Sequence, residues 1–135
     1  GFTAESIAKA KMVHTNTDKV MGWVAKYGVE TFAGTDMYDS TMVPLVTEDL
    51  VVRQRWFDDP EILRQNTSNA GKWLAATGPK NPYKEGPLGV IAEGAYADLI
   101  LVNGDPTQDV SVLLDYESNI PFVMKDGEVM KNSLN

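Results

Sequence analysis

Few residues in this chain could do chemistry, and they are of few kinds. There are no cysteines, which excludes disulfides, thiolate zinc sites and a cysteine nucleophile. The one histidine, His14, has no second histidine beside it and reads as a surface or packing residue rather than a metal ligand. That leaves the carboxylates. Asp36 closes the tripeptide Gly34-Thr35-Asp36 behind a short apolar segment, and Met37, Tyr38 and Asp39 follow it. A positioned carboxylate can pass a proton in a transition state. It can equally cap a turn or a helix, and on the tripeptide alone capping is the stronger reading. Asp98, Asp105 and Asp126 fall at turns and strand ends, where structural duties explain them.

The elements that must position Asp36 come from periodicity and punctuation. Thr3 is the expected N-cap of a first helix, with Glu5 in the turn the dipole favours and Gly28 as its C′ residue. The polar run from His14 to Asp18 could kink that helix or split it. Val29 to Ala33 is expected as a short strand delivering Asp36, giving the helix–strand rhythm of an α/β unit. Residues 37 to 58 read as a long loop entering a helix around Glu48 to Trp56.

Asp59-Pro60-Glu61 is a strong helix start, with Asp59 as N-cap and Pro60 at N1, and that helix should run to about Asn66. Ser68-Asn69 caps a second short helix, which ends at Gly78-Pro79. Trp56, Phe57 and Trp73 read as core residues. Beyond a turn-rich linker over residues 78 to 87 the pattern becomes β-rich, with strands expected at Leu88–Ile91 and Asp98–Val102. A helical turn follows at Val110–Leu114. A hairpin over Ile120–Met124 and Glu128–Lys131 turns at Asp126-Gly127. The chain therefore divides near residue 80.

Composition narrows the partners. With 43% hydrophobic residues, the 135-residue chain can build a core. Twelve basic residues against 19 acidic ones, a formal charge of −7 and no basic stripe argue against nucleic acid. No apolar run approaches the roughly 20 residues of a membrane span. The compartment is not legible.

Taken in order, the motifs resemble those of the metal-dependent amidohydrolases, in the branch that looks like imidazolonepropionases and Xaa-Pro dipeptidases. Ala33-Gly34-Thr35-Asp36 resembles the end of that family's final barrel strand, and Ala4 to Lys11 the helix before it. Ile62 to Ala70 is similar to the helix pair with its Thr-x-Asn-Ala core. Gly89 to Leu99 resembles the Gly-x-Ile…Gly-x-x-Ala-Asp-Leu strand pair. The Gly104-Asp105-Pro106 turn and the Val123-Met124-Lys125-Asp126-Gly127 hairpin complete the series.

The resemblance implies an α/β fold made of the last βα unit or units of a (β/α)₈ barrel, residues 1–80, plus the C-terminal half of a small β-sandwich, residues 81–135. It implies a hydrolase of C–N bonds, in cyclic or dipeptide-like amides, working through a divalent metal, zinc above all. In that family the aspartate matching Asp36 ligates the metal and shuttles the proton of a metal-bound hydroxide. Met37 and Tyr38 would stand at the mouth of the site, where they are candidate substrate contacts or ordinary loop residues.

The family's His-x-His segment and its further histidines have no counterpart in this sequence. A barrel needs about 250 residues, so the expectation is a C-terminal piece that is inactive in isolation. Such a piece is expected to self-associate or to pair with a complementary chain. Two other readings stay open: a free-standing assembly or binding module, and one chain of a split hydrolase.

Overall fold

The computed structural model describes residues 2–37 and 39–134, with the backbone alone at residue 44. Two compact units make it up, Gly1–Glu30 and Thr31–Asn135.

The first unit is helix α1, Ala4–Tyr27. The Thr3 hydroxyl accepts from the Ser6 N–H at 3.1 Å, which satisfies one of the orphan donors of the first turn. Gly28, at φ 59°, ends the helix in a Schellman arrangement: its N–H reaches the Ala25 carbonyl, and the Val29 N–H reaches that of Val24. The helix is continuous through His14–Asp18, with no split. Thr15, Asn16 and Thr17 return their side-chain donors to the carbonyls of Lys11, Met12 and Val13 at 2.8–2.9 Å, so they bond along the helix instead of breaking it.

The first unit passes into the second through a segment that belongs to no sheet among the described residues. Val29–Ala33 is not a strand, and neither is Leu88–Ile91. Strand identity comes from a ladder, and among the described residues neither segment belongs to one. Past Asp36, a 3₁₀ turn at Ser40–Leu45 runs straight into α2, Val46–Arg53. Helix α3 covers Asp59–Asn66, capped by Asp58 rather than Asp59: the Asp58 carboxylate accepts from the Glu61 N–H at 2.8 Å, which puts Pro60 one position deeper. Helix α4, Ser68–Ala76, follows almost at once and gives way to a 3₁₀ turn at Gly78–Lys80.

The sheet is antiparallel in the order β1 (Leu99–Leu101), β2 (Phe122–Lys125), β3 (Glu128–Asn132). Leu99 faces Met124 and Leu101 faces Phe122. Asp126 and Gly127 take φ 49° and 79°, the positive pair a two-residue hairpin turn demands. The Asp98 carboxylate accepts from the Asp126 N–H at 2.6 Å and so ties the turn to the start of β1.

Between β1 and β2, a 3₁₀ turn at Val110–Leu113 is followed by the short helix α5, Tyr116–Asn119. The core gathers Ile62 of α3 with Val110 and Leu113, and Leu50, Phe57, Leu63, Val102, Val112 and Ile120 pack around them. Loop 86–94 is pressed onto the α3–α4 junction. A Cβ built on Gly71 would fall 2.2 Å from the Leu88 carbonyl oxygen, and one on Gly89 2.2 Å from that of Thr67. Among the described residues no helix is long and apolar enough to cross a membrane.

Candidate active site

Asp36 is exposed and sits at φ 51°, a left-handed conformation uncommon for a residue with a Cβ. Capping the next element is not its work. That duty falls to Asp39, whose carboxylate accepts from the Thr41 N–H at 2.7 Å and is held below its ordinary range by the backbone and side-chain hydrogen bonds of Thr41. Met37 is half-buried beside Asp36, and Tyr38 lies outside the described residues.

The segment leading to Asp36 is held by the two helices behind it. The Ala33 N–H donates to the Gln65 carbonyl at 2.9 Å, and Asn69 Nδ2 donates to the Thr31 carbonyl at 2.9 Å. Between them the Phe32 ring lies on Trp73, with centroids 4.4 Å apart. Trp73 is thus not core. Half of it is exposed, because it covers this segment rather than the Ile62 cluster. Of the other two aromatic residues, Phe57 packs against that cluster, while Trp56 is half-buried under the Arg55 guanidinium, 5.0 Å from its ring centroid.

Gln65 is fully buried and braced on both sides. Its side-chain oxygen accepts from Arg53 at 3.1 Å and its amide donates to Glu61 at 3.2 Å, while Arg53 pairs with Asp49 at 2.9 Å. Asn69 is the other buried polar residue among the described residues. Neither was singled out as functional by the sequence pattern. The signal was the four-residue spacing of Glu61, Gln65, Asn69 and Trp73, two on α3 and two on α4.

Other expected features have structural duties. The Asp105 carboxylate accepts from the Thr107 N–H at 2.9 Å, and that of Asp109 from the Ser111 N–H at 2.9 Å. Side-chain and then backbone bonds from Thr107 and Ser111 hold these two carboxyls below their ordinary range. His14 is exposed on α1.

An open groove of about 580 Å³ runs along β1 and β2, lined mainly by Val90, Ile91, Leu99, Ile100, Val123 and Met124, and Asp36 is not on its walls. Among the described residues no group of three or more His, Cys, Asp or Glu is placed to hold a metal ion. Zinc takes at least three protein ligands even at catalytic sites, so these residues do not by themselves fit a metal.

Known structures resemble the chain throughout its length. A crystal structure of an amidohydrolase superimposes with a TM-score of 0.82 at 29% identity, covering 100% of this chain and 30% of the other. A prolidase crystallised with N-methylphosphonate-L-proline gives 0.78 at 28% identity, covering 98% of this chain and 30% of its own. Ochratoxinase from A. niger gives 0.71 at 26% identity, covering 98% and 28%. No family model matches, and no curated protein does. The chain thus spans about 30% of the length of these solved chains. A mixed set of helices with a three-stranded sheet, matched end to end at this identity, makes the relationship one of sequence as well as shape. Over its whole length the chain is similar to part of an amidohydrolase, of a prolidase and of ochratoxinase.

Proposed function

We propose that the chain is the C-terminal part of a metal-dependent hydrolase of C–N bonds. Residues 1–80 would supply the last βα unit or units of its (β/α)₈ barrel, and residues 81–135 the C-terminal half of its β-sandwich. The observation that carries this reading is the full-length match to an amidohydrolase of which the chain covers 30%.

Asp36 is its catalytic carboxylate and a metal ligand. It follows a segment held at three successive residues, and it has no capping duty toward the turn that follows. Met37 and Tyr38 are next to it in the chain and are the candidate substrate contacts. The substrate class is a small amide, cyclic or dipeptide-like. The neighbouring prolidase, crystallised with a phosphonate carrying L-proline, favours the dipeptide-like form. Zinc or a similar divalent ion would be held chiefly by histidines of other segments, since this chain has one histidine. By itself the chain should not hydrolyse amides appreciably.

The test joins the chain to the remainder of its enzyme, as one polypeptide or as two mixed chains, and assays X-Pro dipeptides and N-acyl amino acids with added zinc. Turnover should appear only in the joined form. Asp36→Asn should lower kcat about 10²–10⁴-fold, the span of a lost general acid–base. Full activity in Asp36→Asn would remove Asp36 from the site. A stable folded chain with no turnover in any joined form would favour an assembly or binding module.

A further inference from the structure

We propose that Asn69 and Gln65 are positioning residues for Asp36, forming with Trp73 a clamp that sets where its carboxylate stands; this rests on the reading of Asp36 as the catalytic carboxylate. Three consecutive residues are gripped by three residues spaced four apart along α3 and α4. Asn69 takes the Thr31 carbonyl, Trp73 the Phe32 ring, and the Gln65 carbonyl the Ala33 N–H. The Thr31 hydroxyl is buried without a partner among the described residues, so the carbonyl bond from Asn69 is what fixes this residue.

Only Gly34 and Thr35 separate the clamp from Asp36. Asp36 holds φ 51°, a left-handed conformation open to aspartate but uncommon for a residue with a Cβ, so the path of the segment before it bears on where its carboxylate stands. The grip is stiff from behind. Gln65 is fully buried, its two side-chain polar atoms are both engaged, and Arg53 carries the brace on to Asp49 in α2. A segment expected as a strand and lacking any ladder is thus placed by helix side chains and one helix carbonyl.

The test is NMR of the full 135-residue chain, wild type and Asn69→Asp, which replaces the donor by an acceptor of the same shape. In the wild type, the Asn69 side-chain NH₂ protons should exchange slowly, and Asp36 should show the strong intraresidue HN–Hα NOE of a positive φ. In Asn69→Asp, the Ala33 amide should exchange about fivefold faster or more, the loss expected for one net hydrogen bond. The Asp36 NOE should weaken, while the amides of the Val110–Leu113 turn keep their rates. Fast exchange of the wild-type Asn69 NH₂, or an Ala33 rate and Asp36 NOE unmoved in a folded Asn69→Asp, would overturn the clamp. The wild-type arm decides the matter if the variant does not fold. These readouts do not depend on turnover, so a failed clamp and a failed catalytic assignment of Asp36 are distinguished by which experiment fails.

Discussion

At the scale of single residues, the chain separates glycines that pack from glycines that merely permit. Gly89 combines φ 71° with a Cβ position 2.2 Å from the Thr67 carbonyl oxygen, so Gly89→Ala carries both backbone strain and a backbone clash. We expect it to destabilise by about 1–3 kcal/mol. Gly22 lies inside α1 with nothing within 4 Å of its Cβ position, so Gly22→Ala should stabilise the helix by roughly 0.5–1 kcal/mol. Urea denaturation followed at 222 nm reads both. Opposite signs for one substitution type make the pair a test of the packing of loop 86–94 against the α3–α4 junction.

The proposal for Asp36 starts from Gly-Thr-Asp after an apolar segment, a short, local signal in an ordered series. The polar residues that hold its segment were less so. Gln65 and Asn69 sit inside a legible helix pair, but their partners, Thr31 and Ala33, lie more than 30 residues away in sequence. Nothing local announces that pairing.

At the scale of elements, local chemistry read well and pairing did not. Thr3 and Gly28 bound α1, Asp126-Gly127 turns the hairpin, and Val110–Leu113 is a single helical turn, because each is decided within about four residues. Val29–Ala33 and Leu88–Ile91 have the composition of strands, but a strand requires a second one in register, which no window of sequence contains.

The carboxylate caps make a pH prediction at this same scale. Asp39, Asp105 and Asp109 accept hydrogen bonds from residues two ahead, and each is held below its ordinary value of 3.8. Where the folded pKa lies below the unfolded one, the cap contributes stability above the unfolded value and loses it as pH falls through the folded value. Carbon-detected NMR titration should place all three midpoints below 3.8, and the Thr107 and Ser111 amides should begin to lose protection only below that pH. Midpoints at or above 3.8 would contradict the capping geometry.

At the scale of the whole molecule, much apolar surface lies open. Ile91 is 99% exposed, all of β1 is exposed, and α1 buries no residue while presenting Met12, Val13 and Trp23. Exposed apolar surface on this scale marks an interaction surface or an aggregation hazard. We expect light scattering at micromolar concentration to report a mass above the 14.8 kDa of one chain. A monodisperse monomer would contradict the proposal that these faces are covered by another copy or by a complementary chain.

The central claim is that these residues are the C-terminal part of a longer C–N hydrolase, and the most direct measurement is to read the coding DNA upstream of Gly1. The frame should stay open for some hundreds of codons, with a His-x-His following an apolar strand pattern. A start codon immediately before Gly1, with no such frame behind it, would contradict that claim.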